Sequence, residues 1–208
     1  MPDLIPHVLH QMWAGDAEPP TAMMQTWTDR NPEWEPMLWD DYTIAAFGLR
    51  NQEIYDRFVE RGWYFGASDI VRCEALLRYG GVWADADTEC LLPLEGDFLS
   101  SGFFACEPYD REPRRLLTSI IGAVPGHGVL ERWSAIQGAA MELFPAWRTV
   151  GGVALRMAVD QGDEMDVMVL PATMFYHRTA RGLPIPEDGP RYAKHYYGST
   201  VWQEVTDV

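Results

Sequence analysis

Lysine is almost absent: the 208-residue chain has one, Lys194, and a formal net charge of -15. Its arginines are scattered and form no basic run. Tight binding to a nucleic-acid backbone needs clustered cations, so the composition excludes DNA and RNA as partners. The same deficit argues against a polybasic membrane anchor. It leaves open an anionic substrate whose charge is offset by bound metal. Cysteine is scarce too. Cys73, Cys90 and Cys106 make neither a CxxC pair nor a zinc spacing. An odd count in a chain this size suggests reduced thiols, buried as small apolar residues, and a cytoplasmic location. No stretch approaches the roughly 20 apolar residues of a membrane span, which leaves peripheral association as the only membrane contact expected. The N-terminus lacks a charged segment followed by an apolar one, so no signal peptide is expected. There is no internal repeat and no low-complexity segment.

What the chain does contain is apolar and aromatic. Hydrophobic residues make up 47%, with nine Trp and nine Tyr. That composition specifies a globular chain with a sizeable core, read as one domain over residues 1–208. The aromatic surplus suits a thick core, a surface that stacks flat rings, or both. Short apolar runs alternate with stretches of helical period. Leu4–Trp13 reads as a strand, the segment ending at Asn31-Pro32 as a helix, and "EWEPMLWD" as a second strand. Two further helical stretches lie within 40–48 and 52–61. "ASDIVRCEALLRYGG" is the clearest helix, with Ile70, Cys73 and Leu77 on one face and Gly80-Gly81 as its stop. "VWADAD" follows as a short buried strand and "GFFACEPY" as another. Two helices, "GVLERWSAIQGAAMEL" and "GGVALRMAVDQ", come next, then a strand "MDVMVLP" and a last strand or extended segment "RYAKHYYGS". This alternation predicts an α/β fold with a largely parallel or mixed sheet. Ligands of open α/β sheets bind beyond the carboxyl ends of the strands, and Asp-Ala-Asp stands at such an end.

Asp85 and Asp87 are two carboxylates one residue apart. On a regular strand, positions i and i+2 share a side. Paired hard oxygens suit Mg²⁺ or Mn²⁺, which take substrate phosphate oxygens as further ligands. The plainer alternative is a solvated turn. Asp69 and Arg72, three apart on the helix, are either a surface ion pair or a fixed carboxylate and guanidinium able to hydrogen-bond sugar hydroxyls. His195 is either a third metal ligand or a satisfied buried histidine. Trp13, after the first strand, is either a core residue or a stacking surface for a nucleobase.

These segments resemble the sugar transferases of glycosyltransferase family 32, which share a DxD motif. That group includes capsular-polysaccharide enzymes and fungal mannosyltransferases, and is distantly related to the clostridial glucosylating toxins. The matching segments are "IPHVLHQMWAG" (5–15), "NPEWEPMLWDD" (31–41) and "SDIVRCEALLRYGGVWADADTECLLPL" (68–94). "SIIGAVPGHGVLERW" and "TVGGVALRMAV" are similar to middle segments of the family, with Gly151-Gly152 in place of its Gly-Pro. "KHYYGSTVW" is similar to its closing segment, with two extra residues before Trp202.

The resemblance implies a GT-A-like nucleotide-sugar-binding fold, with a central mixed, mostly parallel sheet flanked by helices. It implies a retaining, metal-dependent transfer of a hexose from a nucleoside-diphosphate sugar to a hydroxyl. UDP-hexose is the first donor expected and GDP-mannose the second. The acceptor would be a glycan, a lipid-linked sugar or a small molecule. Asp87 would bind Mn²⁺ or Mg²⁺ directly, Asp85 would contact the ribose and the metal, and His195 would complete the metal site with Ser199 close by. Asp69 and Arg72 would grip the donor sugar, Trp13 would line the nucleobase pocket and Trp202 would cap the diphosphate or sugar. No nucleophile or general base is assigned. The acceptor side is expected from the helices at about 126–161 and from the Pro/Gly-rich loop 177–191, read as ordering on substrate binding.

Two other readings compete. A catalytically inactive nucleotide-sugar-binding domain would keep the same residues. "WADADTE" also fits the first motif of haloacid-dehalogenase phosphatases. Those enzymes need a later Lys and then an acidic metal motif, whereas here "GDEMD" (162–166) precedes Lys194.

Overall fold

In the computed structural model, residues 4–110, 115–140 and 150–197 are described. Six strands form the main sheet in the order β2-β1-β3-β6-β5-β7. They are β1 (Val8–Met12), β2 (Glu35–Trp39), β3 (Gly81–Ala84), β5 (Phe103–Glu107), β6 (Leu117–Ala123) and β7 (Val167–Pro171). β1 runs parallel to both β2 and β3, and β5 parallel to β7. β6 is antiparallel to β3 and β5. The sheet is therefore mixed and mostly parallel, as the alternation of elements predicted. A separate antiparallel pair joins β4 (Thr88–Cys90) to β8 (Ala193–His195).

The helices are α1 (Thr21–Arg30), α2 (Asp41–Phe47), α3 (Gln52–Glu60), α4 (Tyr64–Tyr79), α5 (Gly128–Ala139) and α6 (Gly152–Asp160). α2 starts where Asp40 and Thr43 form a reciprocal capping box. α4 stops at Gly80, and Gly81 then opens β3 at a φ of +98°. A Cβ on Gly81 would stand 2.3 Å from the Val8 carbonyl oxygen, so only glycine lets β3 start flush against β1.

Both faces of the sheet are covered, which is why the strands read as apolar runs rather than alternating ones. Trp83, Phe103 and Ile121 pack with Ile70, Cys73, Leu76 and Trp133 on the α4–α5 side. Val82, Phe104 and Ile120 pack with Leu9, Trp27, Phe175 and Tyr176 on the other. Trp27, Trp83 and Trp133 have no exposed surface, so much of the aromatic surplus is core. All three cysteines are free and buried. Among the described residues no helix is long and apolar enough to cross a membrane.

Several local expectations change. β4 and β6 are strands that no sequence signal singled out. β3 ends at Ala84, so Asp85–Asp87 form a turn rather than the end of a strand. The 177–191 loop makes hydrogen bonds of its own. Thr179 N–H donates to Leu183 O, Ile185 N–H to His177 O, and the buried Arg191 guanidinium to the carbonyls of Thr173, Ile185 and Pro186.

Candidate active site

The site lies at the carboxyl ends of β1 and β3. Trp83 is the third residue of β3 and faces α4. Asp85 follows it by two residues and turns the same way, toward Arg72 on α4. Asp85 Oδ1 accepts from Arg72 Nη2 at 2.5 Å and from the Trp83 indole N–H at 2.8 Å. Its backbone N–H donates to Ser119 O on β6 at 2.9 Å. The turn is closed by Thr88, whose N–H and hydroxyl both donate to the Asp85 carbonyl. The chain direction changes there, and Asp87 is delivered to the small sheet instead of to α4.

The β4–β8 pairing sets Thr88 opposite His195. Tyr196 N–H extends it by donating to the Asp87 carbonyl at 3.0 Å. His195 Nε2 consequently sits 3.1 Å from Asp87 Oδ1. The imidazole is buried between Tyr176, edge-on at 5.7 Å, and Tyr197 at 4.0 Å. Tyr197 holds a left-handed φ of 57°, a strained choice for a bulky residue that clusters at functional sites.

Asp85, Asp87 and His195 each present one ligand atom, and these atoms lie within 4.8 Å of one another. Two carboxylate oxygens and an imidazole nitrogen suit a hard or borderline divalent cation. Asp85 has committed one oxygen to Arg72 and Trp83, which leaves the other for a cation. The donor set fits Mn²⁺ or Mg²⁺. The fit arises although the regular-strand geometry first expected for the pair does not occur.

Asp69 and Arg72 are not a surface pair. Arg72 is 2% exposed and Asp69 7%. The Arg72 guanidinium bridges the Asp69 and Asp85 carboxylates through separate nitrogens and lies over the Trp83 ring, 5.1 Å from its centroid. Burial pushes the Asp69 carboxyl up to about 6; Arg72 opposes the shift and Asp85 adds to it. Asp69 also abuts the start of α6, where a Cβ on Gly151 would stand 2.5 Å from its Oδ2. The departure from Gly-Pro at 151–152 thus touches the candidate donor-sugar site directly.

Trp13 follows β1 and is partly exposed. Its indole N–H donates to Ala17 O at 2.6 Å, and its backbone N–H to Trp39 O. It stands at the sheet end that carries Asp85. Ser199 and Trp202 lie outside the described residues. Sequence reasoning missed Trp83 and Ser119. Counting back two from Asp85 would have found Trp83. Ser119, whose hydroxyl is 3.4 Å from His195 Nδ1, carries no sequence signal. "GDEMD" does not join the site: Glu164 pairs with Arg132, and Asp166 contacts His127.

Residues 20–102 match the family model described as "Glycosyltransferase sugar-binding region containing DXD motif". The resemblance is to glycosyltransferases. The matched span holds Asp69, Arg72, Asp85 and Asp87 but neither Trp13 nor His195. A curated relative, inositol phosphoceramide mannosyltransferase 3 of Schizosaccharomyces pombe, is 28% identical over 95 residues. That alignment covers 41% of this chain and 25% of the relative, so this chain matches about a quarter of that protein's length. Among solved structures, the PaToxG glycosyltransferase superposes with a TM-score of 0.60 at 15% identity, covering 77% of this chain and 70% of its own. The ligand-free glycosyltransferase domain of the YGT toxin gives a TM-score of 0.50 at 11% identity, covering 68% and 64%. At those identities the likeness establishes the fold, a GT-A-type sheet flanked by helices. Together the matches support a glycosyltransferase as the enzyme class.

Proposed function

We propose that the chain, as one GT-A-like domain over residues 1–208, transfers a hexose from a nucleoside-diphosphate sugar to an acceptor hydroxyl with retention of configuration. The observation that carries this reading is the convergence of Asp85, Asp87 and His195 at the carboxyl ends of β1 and β3. UDP-hexose is the first donor to test and GDP-mannose the second. The acceptor is a glycan, a lipid-linked sugar or a small molecule.

Asp85, Asp87 and His195 hold Mn²⁺ or Mg²⁺ in this reading. A bound divalent cation would offset the diphosphate charge and stabilise the leaving group. Asp69 and Arg72 have separate parts. The Asp69 carboxyl accepts from donor-sugar hydroxyls. Arg72 fixes Asp69 and Asp85 relative to each other through separate nitrogens. Trp13 supplies a face for the nucleobase, Trp202 caps the diphosphate or sugar, and Ser199 serves the donor beside His195.

A thermal-shift panel tests the proposal, with UDP, GDP and their common sugar conjugates each in Mn²⁺ and in EDTA. A ligand that binds only the native state adds about 2.7 kcal/mol of apparent stability at a hundredfold excess over its Kd. A metal-dependent shift with one nucleotide sugar is the expected result. Slow release of free sugar from that donor then separates a working enzyme from an inactive binding domain. No shift with any nucleotide sugar removes the reading.

A further inference from the structure

We propose that Trp83 is a positioning residue that fixes which oxygen of Asp85 is left for the cation. The inference rests on the metal-site reading of Asp85, Asp87 and His195. Trp83 has no exposed surface, and a buried indole N–H needs an acceptor. Its acceptor is Asp85 Oδ1 at 2.8 Å. Arg72 Nη2 reaches the same oxygen at 2.5 Å, and the Arg72 guanidinium in turn lies over the Trp83 ring.

The three side chains brace one another. A carboxylate held by a single donor can swing about its Cβ–Cγ bond and exchange its oxygens. Two donors arriving on one oxygen from different elements, β3 and α4, remove that freedom. Oδ2 is then the oxygen available beside Asp87 and His195. The arrangement follows from the period of two along the strand: Trp83 and Asp85 face the same side, and Trp is the aromatic residue whose N–H lies far enough out to reach a neighbour two residues on. A phenylalanine at 83 would fill much of the same space and leave Asp85 with one donor.

Outer partners of ligating groups typically change metal affinity by roughly 10- to 100-fold. The test is Mn²⁺ binding to the full chain without nucleotide, by titration calorimetry or by loss of the free-ion paramagnetic resonance signal. Trp83→Phe is expected to weaken Mn²⁺ binding about tenfold, with UDP binding in EDTA unchanged. Phenylalanine also shrinks the core, so a second variant carries benzothienylalanine at 83, which keeps the bicyclic shape and replaces the N–H by sulfur. It is expected to show the same loss of Mn²⁺ affinity while remaining folded, with metal-free UDP binding again unchanged.

Wild-type Mn²⁺ affinity in the benzothienylalanine protein overturns the proposal. So does an equal loss of Mn²⁺ binding and of metal-free UDP binding, which marks Trp83 as merely structural. Asp87→Ala serves as the control on the underlying reading. If that variant binds Mn²⁺ as wild type does, the metal-site assignment itself fails, independently of Trp83.

Discussion

His195 Nε2 and Asp87 Oδ1 are 3.1 Å apart although 108 residues separate them in the chain. The contact is made by three residue pairs between β4 and β8, in a sheet distinct from the main one. Asp87 therefore depends on the far end of the described chain for its partner, while Asp85 depends on α4.

That division predicts different effects for the two aspartates. Asp87→Ala is expected to abolish metal-dependent nucleotide binding in a chain that still folds, since the main sheet does not depend on Asp87. Isothermal titration with UDP in Mn²⁺ and in EDTA checks it. Retention of the metal-dependent component sinks the assignment of Asp87 as a ligand.

Arg72 is the reverse case. Removing it leaves Asp69 and Asp85 facing each other without a cation in a largely dry setting. Breaking a buried pair in this way costs about 3–5 kcal/mol. Arg72→Leu should lower stability to urea by that order. Arg72→Lys should recover only part of it, since one ammonium cannot serve two carboxylates from separate nitrogens. Urea unfolding of both variants decides the matter, and equal stability of Lys and Leu would contradict the bridging role.

Asp69 is expected to matter to the sugar and not to the nucleotide. Asp69→Ala should weaken a nucleotide sugar far more than the free nucleotide. Equal losses on both ligands would take Asp69 out of the sugar pocket. Gly151→Ala tests the same site from the other side, because its Cβ would be driven against Asp69 Oδ2. It should give the same selective loss, with an overpacking cost of about 1–3 kcal/mol.

Acid stability offers a test on β1, where His10 is the register partner of Trp83. His10 is buried, its Nε2–H donating to Gly80 O while Nδ1 accepts from the Trp39 indole. Burial lowers its pKa from 6.5 to about 4, against the raising effect of the Gly80 bond. Between those values the unfolded chain takes up a proton that the folded chain refuses. The His10 contribution to stability therefore falls as pH drops from 6.5 toward 4, opposed below about 6 by the raised Asp69 carboxyl, and has no slope well above that window. From pH 6.5 to 5 the His10 share of the loss is about 1.5 kcal/mol. His10→Gln should flatten this part of the curve in urea titrations at pH 7 and 5. An unchanged slope would show that other groups carry it.

The parts of the fold that sequence revealed are those with strong local grammar. α4 announced itself by its apolar period and its Gly-Gly stop, and β3 by following it. β4 is too short to show a period, and β6 mixes Thr, Ser and Gly with its apolar residues. Its role as the antiparallel neighbour of β3 is purely tertiary. The pair Asp69–Arg72 was visible as a spacing, but spacing does not report burial. What buries it is packing from α5 and α6, distant in the chain. Trp83 escaped notice because tryptophan is a core residue by default, and the atom that matters is its one polar one.

The small β4–β8 sheet has a further consequence. Its three paired positions are few beside those of the main sheet, and stability within a fold is not uniform. Separating β8 from β4 would carry His195 away while leaving the Asp85–Arg72–Trp83 brace and the main sheet intact. The amides of 88–90 and 193–196 should thus exchange with solvent by local opening, well before those of β3 and β6. Cation affinity would then contain an opening equilibrium as well as a coordination strength. Any change that loosens or tightens this hairpin-like closure, even one distant from every ligand, would be read out at the metal.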